Sequence, residues 1–239
     1  MGKRIDLAMV ERELAKSRTL AQNLIKDGIV HINGRICTKP SETVEDNDVI
    51  EVVGDMPKYV SRGGLKLEKA ISLWGIDLNG AVCLDVGAST GGFTDCMLQN
   101  GAKKVYAVDV GTSQLDGKLR SDSRVISMEK TDIRKAELPE KADFVSIDVS
   151  FISLKLILPY IKNLWSENGK CAALIKPQFE AGKKHLGKNG VIKDKKLQQA
   201  IVDDIRQFCI LSGFTVIGTA ESAITGGDGN REFLIYLSN

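Results

Sequence analysis

Leu84-Asp85-Val86-Gly87-Ala88-Ser89-Thr90-Gly91-Gly92-Phe93-Thr94-Asp95 is the stretch that most restricts what this chain can fold into. The apolar residues leading into it, Ala81-Val82-Cys83-Leu84, predict a short buried strand, and Phe93, Met97 and Leu98 beyond it recur at helical spacing. Strand, glycine turn and helix together aim backbone N–H groups and a helix N-terminus at a ligand. A pyrophosphate-binding turn takes glycine at the middle of Gly-x-Gly-x-x-Gly, so that the diphosphate can approach the backbone. Ser89 stands there instead, and the pattern is Gly-x-x-x-Gly-Gly, which suits a smaller anion. The amino-acid carboxylate of S-adenosylmethionine (SAM) is such a group. A second predicted strand, Lys104-Val105-Tyr106-Ala107-Val108-Asp109, ends in an acid that could accept both hydroxyls of a ribose. A turn and an acid that only pack are the alternative.

Beyond the turn the pattern alternates. Strands are expected near 104–109, 124–128, 142–148, 170–176, 214–221 and 231–238, with helices near 154–165 and 195–212. Such alternation predicts a mostly parallel sheet covered on both faces. The last two strands, joined by a loop with Gly226-Gly227-Asp228-Gly229, should be antiparallel. The 239 residues are 43% apolar and 27% charged, so a sizeable core is feasible, and a net charge of +2 announces no global affinity for nucleic acid. The five cysteines are far apart with no CxxC pair, and free buried thiols are expected. His31 and His185 lack metal-ligand spacing, and no metal is expected. No apolar run approaches the length of a membrane span and the first residues carry no apolar leader core, so a cytoplasmic location is expected.

Residues 1–53 read as a separate unit, 54–59 as a linker and 60–239 as the larger domain. Ile5, Leu7, Val10 and Leu14 are spaced for one helix, and Ser17 can cap a second that Asp27-Gly28 ends. Ile29-Val30-His31-Ile32, Asn33-Gly34, Arg35-Ile36-Cys37-Thr38 is a hairpin with a type I′ turn, and a strand follows at Val49 to Val53. With Ser17-Arg18, Ile32-Asn33-Gly34 and Lys39-Pro40-Ser41 in order, this unit resembles the S4 RNA-binding fold. Its 8 Lys and Arg against 9 Asp and Glu, a net of −1, argue against an RNA module. Placement argues for one: Arg4, Lys16, Arg18, Lys26 and Arg35, with Lys3 and Lys39, fall at the helix ends and hairpin, while five of the acids lie at 42–51.

Ligands of open α/β sheets bind outside the carboxyl ends of the strands. Two strands there end in Ser146-Ile147-Asp148-Val149-Ser150-Phe151 and Ile175-Lys176-Pro177, which brings an acid and a lysine within ion-pair reach. No Pro-Pro turn for base-amine methylation follows Asp148, and no cysteine is placed as the thiolate that cytosine methylation needs. A hydroxyl acceptor remains. Lys58, Arg62, Lys66 and Lys69 make the start of the helix before the first sheet strand basic, and residues 176–196 carry seven lysines against two acids.

Residues 59–239 resemble the FtsJ-type ribose 2′-O-methyltransferases. The order S4 module, Tyr59-Val60-Ser61-Arg62-Gly63-Gly64-Leu65-Lys66-Leu67, then Gly87-Ala88-Ser89-Thr90-Gly91-Gly92-Phe93-Thr94-Asp95 is similar to the TlyA family, whose members are often labelled hemolysins and whose characterised members methylate ribosomal RNA at cytidine 2′-hydroxyls. The resemblance implies an α/β, Rossmann-like SAM-dependent methyltransferase with a seven-stranded, mostly parallel sheet and a small N-terminal α+β S4 domain. It also implies a Lys-Asp-Lys-Glu tetrad at Lys66, Asp148, Lys176 and Glu232, with Lys69 the rival for the first position. Asp85, Gly87, Ala88, Ser89, Thr90, Gly91, Gly92, Phe93, Asp109, Asp132 and Asp148 would hold SAM. Arg62, Lys183, Lys184 and Lys188 would join the N-terminal cations on ribosomal RNA or a ribosomal subunit. A hemolysin-like membrane-active protein, a non-catalytic RNA-binding protein and a small-molecule O-methyltransferase are the rival readings.

Overall fold

Ser17 and the Asn33-Gly34 pair set the path of the N-terminal residues in the structure, a computed structural model that describes residues 2–54, 57–182 and 190–239. The chain divides into two units, Met1–Ser61 and Arg62–Asn239. In the first, β1 (Lys3–Arg4) leads into α1 (Ile5–Glu11), and α2 (Arg18–Lys26) starts where the Ser17 hydroxyl accepts the N–H of Leu20 at 3.2 Å. The helix expected to reach Leu14 stops short, because Glu13 turns to φ +60° and Leu14 N–H bonds back to the Met9 carbonyl. β2 (Val30–Ile32) and β3 (Arg35–Ile36) form the hairpin, with Asn33 and Gly34 both left-handed as a type I′ turn requires. β4 (Thr43–Val44) pairs with β1, a two-stranded sheet too short to leave a sequence pattern, and β5 (Ile50–Val52) adds to β2. Ile5, Met9, Leu24, Ile25, Val30 and Cys37 form this unit's own core.

The larger unit begins with α3 (Gly63–Trp74), which Gly75 ends in the left-handed conformation. β6 (Val82–Val86), α4 (Gly92–Gln99), β7 (Lys104–Val108), α5 (Gly117–Arg120), β8 (Val125–Met128), β9 (Ala142–Ile147), α6 (Leu158–Ile161), β10 (Trp165–Ile175), α7 (Pro177–Glu180), α8 (Lys195–Leu211), β11 (Thr215–Glu221) and β12 (Phe233–Ser238) follow. The sheet order is β8-β7-β6-β9-β10-β12-β11, and β12 is the reversed strand. The helix expected over 154–165 is replaced by a 3-10 turn at Leu154–Leu156 and the single turn of α6. Pro159 explains the break, since a continuous helix would lose a hydrogen bond there and its ring would clash one turn back. β10 therefore starts earlier than expected, at Trp165. The five cysteines are buried and free, and burial pushes the Cys83 thiol up to about 12.

The strand order turns back between β6 and β9, the place where a doubly wound sheet opens a crevice. There the two chain segments nearly touch. Gly87 has φ +83°, and a Cβ on it would lie 2.4 Å from the carbonyl oxygen of Asp148. Gly80, with φ +70°, has nothing near its Cβ position. Gly87→Ala should therefore lose roughly 2–5 kcal/mol in urea unfolding, from backbone strain plus the clash. Gly80→Ala should lose only about 1–2 kcal/mol. Equal losses would show that the approach of Asp148 imposes nothing on position 87.

Candidate active site

Four charged side chains from four parts of the chain meet at the carboxyl end of the parallel strands. Lys66 lies on α3, a helix whose far end is fixed by Trp74 stacked on Tyr236 at 5.1 Å, with Gly218 leaving room for the indole. Asp148 follows β9 and Lys176 follows β10. Glu232 precedes β12, and because β12 is reversed its start falls beside the end of β10. Lys66 Nζ donates to Glu232 Oε2 at 2.6 Å and stands 3.9 Å from Asp148 Oδ2. Lys176 Nζ lies 2.5 Å from Asp148 Oδ1 and donates to Ser150 Oγ at 3.1 Å. The Lys176–Asp148 contact is an ion pair by distance, but Oδ1 receives no aligned hydrogen bond and is shut off from solvent. Lys66, Lys176 and Glu232 are each less than 10% exposed. Gly226 lets the β11–β12 loop close over Glu232, since a Cβ there would meet Oε1 at 2.5 Å. Lys69, one turn on, is half-buried and outside this cluster.

Asp148 and Ser150 also line a cleft of about 450 Å³. Gly87, Ser89, Asp109, Val110 and Asp132 form other parts of its wall. Ser89, at φ +48°, donates its N–H to Asp109 Oδ2 at 2.8 Å, and Gly111 N–H donates to Oδ1 at 2.7 Å. These two bonds fix the carboxylate and leave it further lone pairs for a ligand. Arg134 grips Asp132, its Nη2 at 2.6 Å from Oδ2, and the guanidinium holds that carboxyl low, at about 2.

Residues 59–239 match the profile of the FtsJ-like methyltransferases, and residues 3–50 that of the S4 domain. The chain belongs to the FtsJ-like methyltransferase family. Over 238 residues it is 43% identical to Hemolysin A of Brachyspira hyodysenteriae, covering 98% of this chain and 99% of that one. It is 40% identical over 239 residues to the 16S/23S rRNA (cytidine-2′-O)-methyltransferase TlyA of Mycobacterium tuberculosis (strain CDC 1551 / Oshkosh), covering 98% and 89%. A solved structure from Streptococcus thermophilus that carries a hemolysin label superposes with a TM-score of 0.79 at 44% identity, covering 100% of this chain and 88% of that one.

In this family member the sequence-expected cofactor residues separate into two groups. Gly87, Ser89, Asp109, Asp132 and Asp148 face the cleft, and Ala88 faces a smaller recess beside Asp109. Thr90, Gly91, Gly92 and Phe93 do not form its wall; the last three are buried where the turn enters α4. Asp85 is fully buried beneath the turn, accepting from Thr94 Oγ1 at 2.6 Å and Ser146 Oγ at 3.0 Å, so it braces the loop and offers no surface to a ligand. Arg4, Lys16, Arg18, Lys26, Arg35 and Arg62 are all exposed, and Arg35 pairs with Glu42. Lys183, Lys184 and Lys188 lie outside the described residues, as does His185. Ser150 and Phe151 also line the cleft, although no motif marks them as site residues. Phe151 takes φ +65°, is 90% exposed at the cleft rim, and leans on Phe179 at 4.9 Å. Its only sequence signal was its place just past a strand end. Among the described residues no group of acids, histidines and cysteines could hold a metal, and no helix is long and apolar enough to cross a membrane.

Burial raises the Asp85 carboxyl from 3.8 to about 6, against the downward pull of Thr94 and Ser146. A carboxyl whose pKa is higher folded than unfolded favours the fold below the unfolded value and loses that contribution as pH rises through the folded one. Asp85→Asn cannot titrate. The stability of the parent relative to this variant should therefore fall by roughly 2 kcal/mol between about pH 4 and pH 8, read from urea midpoints. A constant difference across that range would show an ordinary acid at position 85.

Proposed function

We propose that this protein transfers the methyl group of SAM to a ribose 2′-hydroxyl of ribosomal RNA, with cytidine as the acceptor nucleotide, in the cytoplasm. The observation that carries the reading is the linked set Glu232, Lys66, Asp148 and Lys176, whose Asp148 lines the cleft beside the glycine turn. The S4 match and the rRNA (cytidine-2′-O)-methyltransferase named among its relatives support the substrate class. A small-molecule acceptor would leave the S4 unit without a task.

The residues present fit SAM. The Asp109 carboxylate suits the ribose hydroxyls, and Val108, Val110 and Ile133 provide apolar contact for a planar base. Bound there, SAM supplies an electrophilic sulfonium methyl. On the acceptor side, Lys176 would meet the 2′-hydroxyl, orient it, and relay its proton to Asp148 Oδ1, the buried acceptor at 2.5 Å. Lys66, tied to Glu232, would fix the other Asp148 oxygen and add positive field near the attacking oxygen. Attack on a methyl group needs little covalent help, so positioning supplies most of the acceleration. Phe151, exposed at the rim, offers a face on which the acceptor base can stack.

Lys176→Ala should lower methyl transfer about 100- to 1,000-fold while SAM still binds by calorimetry. Phe151→Ala should leave SAM affinity intact and weaken the acceptor complex by about 1–3 kcal/mol, read as a rise in KM for RNA. Tritiated SAM incubated with ribosomal subunits, followed by mapping of the labelled nucleotide, tests the reaction itself. Label on a base, or full activity in Lys176→Ala, would overturn the reading.

A further inference from the structure

Among the described residues of the N-terminal unit, Asp6 is the only buried charged side chain. It is fully buried, and its two oxygens take four hydrogen bonds. Arg4 Nε donates to Oδ1 at 3.0 Å and Arg4 Nη2 to Oδ2 at 2.9 Å. Arg18 Nη2 and Gln22 Nε2 donate to Oδ2 at 3.1 and 2.8 Å. The guanidinium of Arg4 holds the Asp6 carboxyl well below the usual carboxylate range, so it is anionic at any working pH. Both arginines remain about half exposed. An arginine has five N–H donors, so Arg4 keeps three and Arg18 four for another partner.

We propose that Asp6 is a positioning residue that presents Arg4 and Arg18 as a preorganised pair to the phosphates of an RNA backbone. The proposal rests on the ribosomal-RNA reading above and adds the element that sets the geometry. Arg4 ends β1 and immediately precedes α1, Asp6 sits in the first turn of α1, and Arg18 opens α2, so one buried carboxylate fixes two guanidinium groups from different elements against each other. A long free side chain loses rotamer freedom when it binds phosphate. One already held in place loses less and binds more tightly. This role has an unusual sign. By charge alone an anion near bound phosphates weakens RNA binding, and removing it should help. By positioning, removing it should hurt.

The test uses the full chain and in-vitro-transcribed 23S rRNA, with filter-binding affinities measured over a salt series. Asp6→Asn should bind about tenfold more weakly than the parent. Glu11→Gln, which removes an exposed acid paired with Lys3 in the same unit, should bind at least as tightly as the parent. Arg18→Lys keeps the charge but loses the fork, and should bind several-fold more weakly with an unchanged salt slope. Thermal melting and SAM affinity report whether each variant is folded, and Arg18→Lys decides the matter where Asp6→Asn is not. Asp6→Asn binding as tightly as Glu11→Gln, or Arg18→Lys matching the parent, overturns the positioning role while leaving the RNA reading in place. A parent protein that binds no rRNA overturns both.

Discussion

Two buried lysines and two acids that neutralise one another are the constraint around which the larger unit is arranged. A charge taken out of water costs several kcal/mol unless a partner and hydrogen bonds compensate, and removing one member of a buried set strands the others. Lys66 compensates Glu232 and approaches Asp148, which in turn compensates Lys176. No member of this chain of contacts stands without the next. A hydrophobic group of similar volume at these positions would serve the fold at least as well. Stability alone therefore does not account for four charges gathered at the carboxyl end of the sheet, which supports the role proposed for them.

Delivering that set depends on strand direction. β9 and β10 run parallel, so Asp148 and Lys176 emerge side by side at their carboxyl ends. Glu232 reaches the same end of the sheet because β12 is reversed, which turns the start of a strand into the equivalent of an end. Lys66 comes from before the sheet, on a helix held by the Trp74–Tyr236 stack, and meets an acid 166 residues away. Asp148 occupies the junction. Its backbone carbonyl crowds Gly87, its N–H bonds to the Val86 carbonyl, and its side chain links the lysines to the cleft. The requirement for glycine at 87 and the position of the Asp148 carboxylate thus share one cause.

The alternation of strands and helices, the reversed last strand and the hairpin turn were readable because each leaves a local signature: apolar period, glycine spacing, or Asn-Gly. What the sequence hid was of two kinds. The helix expected over 154–165 failed because apolar spacing persisted across Pro159, and periodicity does not register a missing N–H. The roles within the site were hidden for another reason. The tetrad does not say which acid meets which lysine: Glu232 bonds Lys66, and Ser150 stands beside Lys176. Pairing among four charges is decided by tertiary distances that spacing does not encode. Asp85 misled similarly: an acid at a glycine turn can face the ligand or the fold, and only its contacts with Thr94 and Ser146 distinguish the two.

The N-terminal unit shows the same limit for charge. Its slight excess of acids over bases argues against nucleic acid only if every acid faces outward as a free charge. Several do not. Asp6 is enclosed by Arg4, Arg18 and Gln22; Glu42 is engaged by Arg35; and Asp48 accepts from Asn33 and from the Glu45 N–H, which closes the loop before β5. An acid spent in this way no longer repels a phosphate at full strength, and the cation it holds keeps donors directed at solvent. The field a polyanion meets is thus more favourable than the formal sum. Charge sums describe solubility and long-range attraction, whereas recognition of a backbone depends on which donors are fixed and where they point.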